Sequence, residues 1–166
     1  MIFSDIPGGS TVFINANTLV YHFGADSHFG PACGELLKRV ELHELRGVTS
    51  THVLSEVAHR VMTIEAIEVN RWPIAGIAAR LRRRPSEVQR LMVFKNAVEA
   101  VLASQIDIAT IIPSLILAAA KISLATGLLS NDALIVAVMQ ANGISNLASN
   151  DADFDRVAGI SRFSPL

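Results

Sequence analysis

Gly8-Gly9-Ser10-Thr11-Val12-Phe13-Ile14-Asn15-Ala16-Asn17 is the stretch that decides the fold. From Thr11 to Ile14 it is continuously apolar or β-branched, with turn formers on both sides. A strand with one face in water alternates apolar and polar side chains. A run without alternation is buried on both faces, the habit of a central strand in a parallel sheet. Asn15 then falls at the carboxyl end of that strand, where ligands of open α/β sheets gather.

Working outward, strand-like and helical segments alternate. A short helix is predicted over 17–25, and a second runs from Pro31 to about Leu45, with Leu36, Leu37 and Val40 at near-helical spacing. Gly47-Val48-Thr49 reads as a short strand, and Ser50 or Thr51 then offers an N-cap to a helix running through Val53, Val57, Val61 and Met62. Residues 64–104 are mostly helical, punctuated by Pro73 and Pro85 near predicted helix starts, and are expected to form a helical hairpin projecting from the sheet. Ile106-Asp107-Ile108 is a brief strand. Pro113 opens an apolar helix that ends near Gly127, Ser130-Asn131-Asp132 caps a helix closed by Asn142-Gly143, and strands follow at 144–148 and 160–163. The expected fold is one α/β domain over 1–166: a three-layer α/β/α sandwich with a mostly parallel central sheet.

Composition narrows the function. With 166 residues, 51% of them hydrophobic and 17% charged at net charge −1, the chain is too apolar for a disordered segment and too balanced for a generally basic nucleic-acid binder. Aromatic residues are 5%, which argues against modules that stack bases on aromatic platforms. The single cysteine, Cys33, excludes an intrachain disulfide and a multi-cysteine zinc ribbon; it is expected in the core, and the count fits a reducing, cytoplasmic location, which is the expectation. The first ten residues lack a basic stretch followed by an apolar run, so no signal peptide is expected. Ile111–Ala120, the most apolar run, is too short to cross a bilayer and reads as a core helix.

Oxygen-bearing side chains collect where strands end. Asn15 follows the first strand, Glu56 lies one turn inside the helix after Val48, and Asn150, Asp151, Asp153 and Asp155 follow Leu147-Ala148. Asp132 joins them from the first turn of its helix. Carboxylates from separate elements meeting at one sheet end suit hard cations such as Mg²⁺ or Mn²⁺. Each has an ordinary reading too: Asp132 as a helix cap, and the late aspartates as a solvated turn. Glu56 is harder to set aside, because a carboxylate among Val53, Leu54, Val57 and Ala58 is costly unless a partner neutralises it.

Val12-Phe13-Ile14-Asn15, the Glu56 helix, Leu129-Ser130-Asn131-Asp132-Ala133-Leu134-Ile135-Val136-Ala137 and Leu147-Ala148-Ser149-Asn150-Asp151-Ala152-Asp153-Phe154 together resemble the PIN-domain nucleases, in particular the VapC-type toxins of prokaryotic toxin–antitoxin pairs. The resemblance spans nearly the whole chain in the right order. It implies metal-dependent endoribonuclease activity with Mg²⁺ or Mn²⁺, and places the site on position 15, Glu56, Asp132 and Asp151, with Asp153 as a supplementary ligand. It also implies a cognate antitoxin. Ser50, Thr51, Ser130 and Asn131 are candidates to hydrogen-bond the ligands or the phosphate.

One position departs from that pattern: the aspartate expected at the end of the first strand is Asn15. An amide oxygen can still touch a cation but brings no charge, so metal affinity should fall. Two accounts stand, a natural variant with weakened or lost activity and a substitution that silences a harmful toxin. The intact flanking sequence favours the second. The rival function is a PIN-like module that holds RNA or protein without cutting.

Arg80, Arg82, Arg83, Arg84, Arg90 and Lys95 face only Glu87, a local excess of five positive charges that could steer RNA, or equally form a solvated face. His52, Glu56 and His59 share a helix face at i, i+4 and i+7, a rival zinc arrangement without the order metalloproteases use. The apolar excess predicts a homodimer.

Overall fold

The computed structural model describes residues 1–166. Its centre is β1 (Thr11–Ile14), in which Val12, Phe13 and Ile14 are fully buried, as the unbroken apolar run requires. β2 (Arg46–Ser50) lies on one side and β4 (Asn146–Ala148) on the other, with Phe13 in register with Val48 and with Leu147. β3 (Asp107–Ala109) and β5 (Ser161–Phe163) are the edges. The order is β3-β2-β1-β4-β5, and all neighbours are parallel. The sheet is therefore wholly parallel, with helices on both faces.

The connecting helices are α1 (Ala16–Phe23), α2 (Gly30–Glu41), α3 (Thr51–Asn70), α7 (Pro113–Thr126) and α8 (Ser130–Ala141). From Ala133 to Met139 every residue of α8 is buried, so this helix is apolar all round because it lies between the sheet and α7. It ends at Gly143 (φ +64°), whose N–H reaches Gln140 O while Ile144 N reaches Met139 O. That paired bonding satisfies the last carbonyls and needs the left-handed backbone that glycine adopts freely. Gly47 serves another end: a Cβ there would stand 2.8 Å from Val40 Cγ1, so its bare backbone lets α2 close onto β2.

The hairpin projection is present. The far half of α3 packs against α6 (Val93–Ala103), and α4 (Ile77–Arg83) and α5 (Pro85–Val88) form its tip over a small separate core of Ala66, Leu81 and Leu91. Its anchor is Glu65, a buried carboxylate on α3 that accepts from the backbone N–H groups of Met92 (2.8 Å), Val93 (3.0 Å) and Phe94 (3.4 Å) at the start of α6.

Three local expectations need correction. The helix from Pro31 stops at Glu41, because the chain turns through His43 (φ +57°), and Leu45 is buried as the approach to β2. Pro73 opens no helix; it lies in the turn after α3 ends at the left-handed Arg71, and α4 begins only after Gly76. Asp132 caps nothing: it is the third residue of α8, whose N-cap is Leu129, with no side-chain cap bond. No single helix is long and apolar enough to cross a membrane.

Candidate functional site

The carboxyl end of the sheet has a buried polar floor. Asn15, Asn17, Thr18, Thr49, Ser50 and Ser149 are all buried there. Thr49 Oγ1 donates to Ile14 O (2.9 Å) and Thr18 Oγ1 to Ala148 O (3.1 Å), binding the ends of β1, β2 and β4 together. Ser149, directly after β4, is the hub: its Oγ accepts from Asn15 Nδ2 (2.9 Å), Asn17 Nδ2 (3.1 Å) and Asp151 N (3.1 Å). Asn17 Oδ1 in turn accepts from Asn150 N (3.3 Å). The floor thus fixes the backbone that carries Asn15 and Asp151.

Asn15 is bonded at both ends of its amide. It is the N-cap of α1, its Oδ1 accepting from Ala16 N at 2.6 Å while its Nδ2 donates to Ser149. The side chain faces the floor, held by one hydrogen bond at each end of the amide.

The acids stand above this floor on separate elements. Asp132 comes from the first turn of α8, Glu56 from the second turn of α3, and Asp151 caps the short 3-10 helix Ala152–Arg156 by accepting from Asp153 N (2.9 Å). Asp132 lies in the combined field of the others. Burial lifts its carboxyl above the usual carboxylate range, and the charges of Asp151, Glu56 and Asp153 push it further the same way, with His52 opposing. No hydrogen bond is made to the Asp132 carboxylate, and no arginine or lysine pairs with it. The Nε2 of His52 is likewise buried without a partner.

The outer acids each have an arginine. Arg60 Nη1 lies 3.3 Å from Glu56 Oε1, and Arg156 pairs with Asp153. Arg162 grips Asp155 with two bonds (2.7 and 2.8 Å) and also donates to Ser149 O (3.2 Å). This grip holds the Asp155 carboxyl below the usual range. Asp155 is therefore a fastener for β5.

No three His, Cys, Asp or Glu side chains converge to hold a metal ion between them. This applies to the zinc arrangement of His52, Glu56 and His59 and equally to Glu56, Asp132 and Asp151: Glu56 turns to Arg60 along its helix, Asp151 accepts from Asp153 N, and His59 is exposed. Of the other helpers, Ser50 Oγ accepts from Val53 N (3.3 Å) and Thr51 Oγ1 from Ile111 N (3.2 Å), so both oxygens serve local structure. Ser130 and Asn131 are exposed beside Asp132. Cys33 is in the core as expected, its thiol pushed up to about 12 chiefly by burial, which leaves it inert as a nucleophile. Sequence reading passed over Ser149, Asn17, Arg60, Arg156 and Arg162. Arg60 was within reach, because a cation four residues after Glu56 on a helix pairs with it. The Ser149 hub appears only when β1 and β4 lie side by side.

On the projection, Arg80 Nη1 donates to Pro73 O (3.0 Å) and Ala75 O (2.7 Å), Arg84 lies 5.2 Å over the Trp72 ring, and Arg90 pairs with Glu87 (3.5 Å). Arg82 and Arg83 are exposed and make no side-chain bond.

Comparison with known proteins gives one family. The PIN-domain family model matches residues 12–160, from β1 to the entry of β5. Among solved structures, the chain is similar to the VapC20 toxin of Mycobacterium tuberculosis, described as cleaving the sarcin-ricin loop (18% identity, TM-score 0.59, covering 87% of this chain and 92% of that one). It is also similar to VapBC2 of Rickettsia felis bound to a promoter DNA fragment (15%, TM-score 0.57, 93% and 98%) and to a toxin–antitoxin complex of Klebsiella pneumoniae (15%, TM-score 0.55, 93% and 98%). No curated protein sequence matches. The family model covers most of the chain, including every strand that positions the acids, and so the chain belongs to the PIN-domain family.

Proposed function

We propose that this protein is a metal-dependent endoribonuclease, the toxin of a toxin–antitoxin pair, acting in the cytoplasm and weakened by Asn15. The observation that carries this reading is Asp132: a carboxylate raised first by burial and then by the charges of Asp151, Glu56 and Asp153, with no arginine or lysine paired to it. Such a group is expensive in a purely structural role, and a divalent cation is what would make it favourable. The donors are all oxygens, which fits Mg²⁺ or Mn²⁺.

Glu56, Asp132 and Asp151 would hold the cation, with Asp153 as a further ligand and Asn15 standing in the fourth position. A bound ion supplies the positive charge that polarises a phosphodiester oxygen and lowers the pKa of an attacking water. The protein's own share is to hold these carboxylates on the floor knit by Ser149 and Thr49, and no side-chain nucleophile is needed. Arg80, Arg82, Arg83, Arg84 and Arg90 attract RNA by their field, an effect that survives their local contacts because it depends on charge at a distance.

An antitoxin is the proposed partner, in keeping with the toxin–antitoxin complexes among the structural neighbours. A second copy is the other. Ile116, Leu117, Leu124 and Leu129, exposed along and just beyond α7, give it an apolar surface.

Asn15 favours a second reading, a PIN-like module that binds without cutting, because its amide is held on both sides and adds no charge to the site. The variant Asn15→Asp separates the two. A carboxylate there adds charge and accepts the Ser149 hydroxyl proton in place of donating to it. Cleavage of RNA by Asn15→Asp in Mn²⁺, abolished by EDTA, is the expected result; an absence of cleavage in both forms leaves the binding module.

A further inference from the structure

We infer that Arg60 and Arg156 are the phosphate-holding residues of this site, an assignment that rests on the ribonuclease reading and names the groups that grip the substrate. Three arginines touch its acids, and they are not alike. Arg162 is bidentate, donates to a backbone carbonyl as well, and its side chain is only 17% exposed, so it is architecture. Arg60 and Arg156 are 44% and 46% exposed, and each holds one acid three or four residues away on its own element. Exposed local pairs of this kind are worth about 0–1 kcal/mol, so they exchange partners readily.

Their placement suits exchange for a phosphate. Arg60 lies on α3 one turn beyond Glu56. The Arg156 guanidinium lies over Gly127, 4.0 Å from where a Cβ would stand, beside the turn that enters α8 and leads to Asp132. The two therefore border the acid group from different elements. Each is bonded to its acid through a single nitrogen, so its other N–H groups are open. A guanidinium so placed presents a planar donor fork to whatever anion arrives, and phosphate oxygens match that fork. On the projection Arg80 is held by two backbone carbonyls and Arg84 lies over Trp72, while Arg82, Arg83 and Arg90 are as free but touch none of the site's acids.

The test is RNA binding by the protein as it stands, followed by fluorescence anisotropy with a labelled single-stranded oligoribonucleotide in Mn²⁺ across a salt series. Arg60→Ala and Arg156→Ala are each expected to weaken binding about 5–10-fold and to lower the salt slope by about 0.7, the loss of one single-strand phosphate contact. Arg156→Lys keeps the slope, and so does Lys38→Ala on α2. Should Arg156→Ala fail to fold, Arg156→Gln reads the same slope. Binding by the parent chain with an unchanged slope in Arg60→Ala and Arg156→Ala overturns the assignment and leaves the ribonuclease reading intact. No RNA binding by the parent, together with no cleavage by Asn15→Asp, overturns both.

Discussion

Two of the acids on helix α3 sit in opposite surroundings. Near its start, Glu56 pairs with Arg60 on its own helix and adds its charge, with those of Asp151 and Asp153, to the field on Asp132, which has no ion pair. Nine residues on, Glu65 is more deeply buried yet receives three backbone N–H groups at the start of α6. Burial alone would have picked Glu65 as the costly acid. What separates them is the company each keeps: a carboxylate given several donors stabilises the fold, whereas one set among other carboxylates, as Asp132 is, costs stability when it ionises.

The largest effect should come from the satisfied end. Glu65→Ala removes the acceptor for three N–H groups and frees the hairpin projection, and urea unfolding should show a loss of about 3 kcal/mol. Glu65→Gln, which keeps one acceptor oxygen, should lose less. Equal stability in Glu65→Ala would break the contrast.

At the other end the sign reverses. A carboxyl whose folded pKa is raised contributes stability below its unfolded pKa and loses it as pH rises through the folded value, so ionised Asp132 is a liability at neutral pH. Asp132→Asn should therefore stabilise the protein at neutral pH in EDTA, by about 0.5–1 kcal/mol after solvent screening, and remove the fall in stability between the unfolded carboxyl pKa and the raised folded one. Destabilisation by that substitution would mean that Asp132 has a structural partner after all.

The smallest effect belongs to Asp155, a paired acid at the rim. Its carboxyl is held low by Arg162, so its contribution is present above the unfolded pKa and fades as pH falls through the folded one. Asp155→Asn should cost roughly 0.5 kcal/mol at neutral pH and nothing in strong acid, read from thermal midpoints across pH.

Much of the fold was legible because it is written in local terms. The Thr11–Ile14 run marks the central strand, Pro113 a helix start, and Asn142-Gly143 a helix stop. The order of the candidate acids was legible through the PIN-like pattern. What pairs elements distant in sequence was not. Nothing near Glu65 announces that Met92 will lie above it, and nothing near Ser149 announces that Asn15 and Asn17 will converge on its hydroxyl. The same applies to Asp132, which local rules assign to capping although it makes no cap bond and lies in the field of other acids.

The central claim is that the acids around Asp132 form a cation site, and calorimetric Mn²⁺ titration of Asn15→Asp with and without Asp132→Asn tests it most directly. The account predicts Mn²⁺ binding by Asn15→Asp that weakens at least about tenfold, or 1.4 kcal/mol, when Asp132→Asn is added. The same Mn²⁺ affinity in both would contradict it.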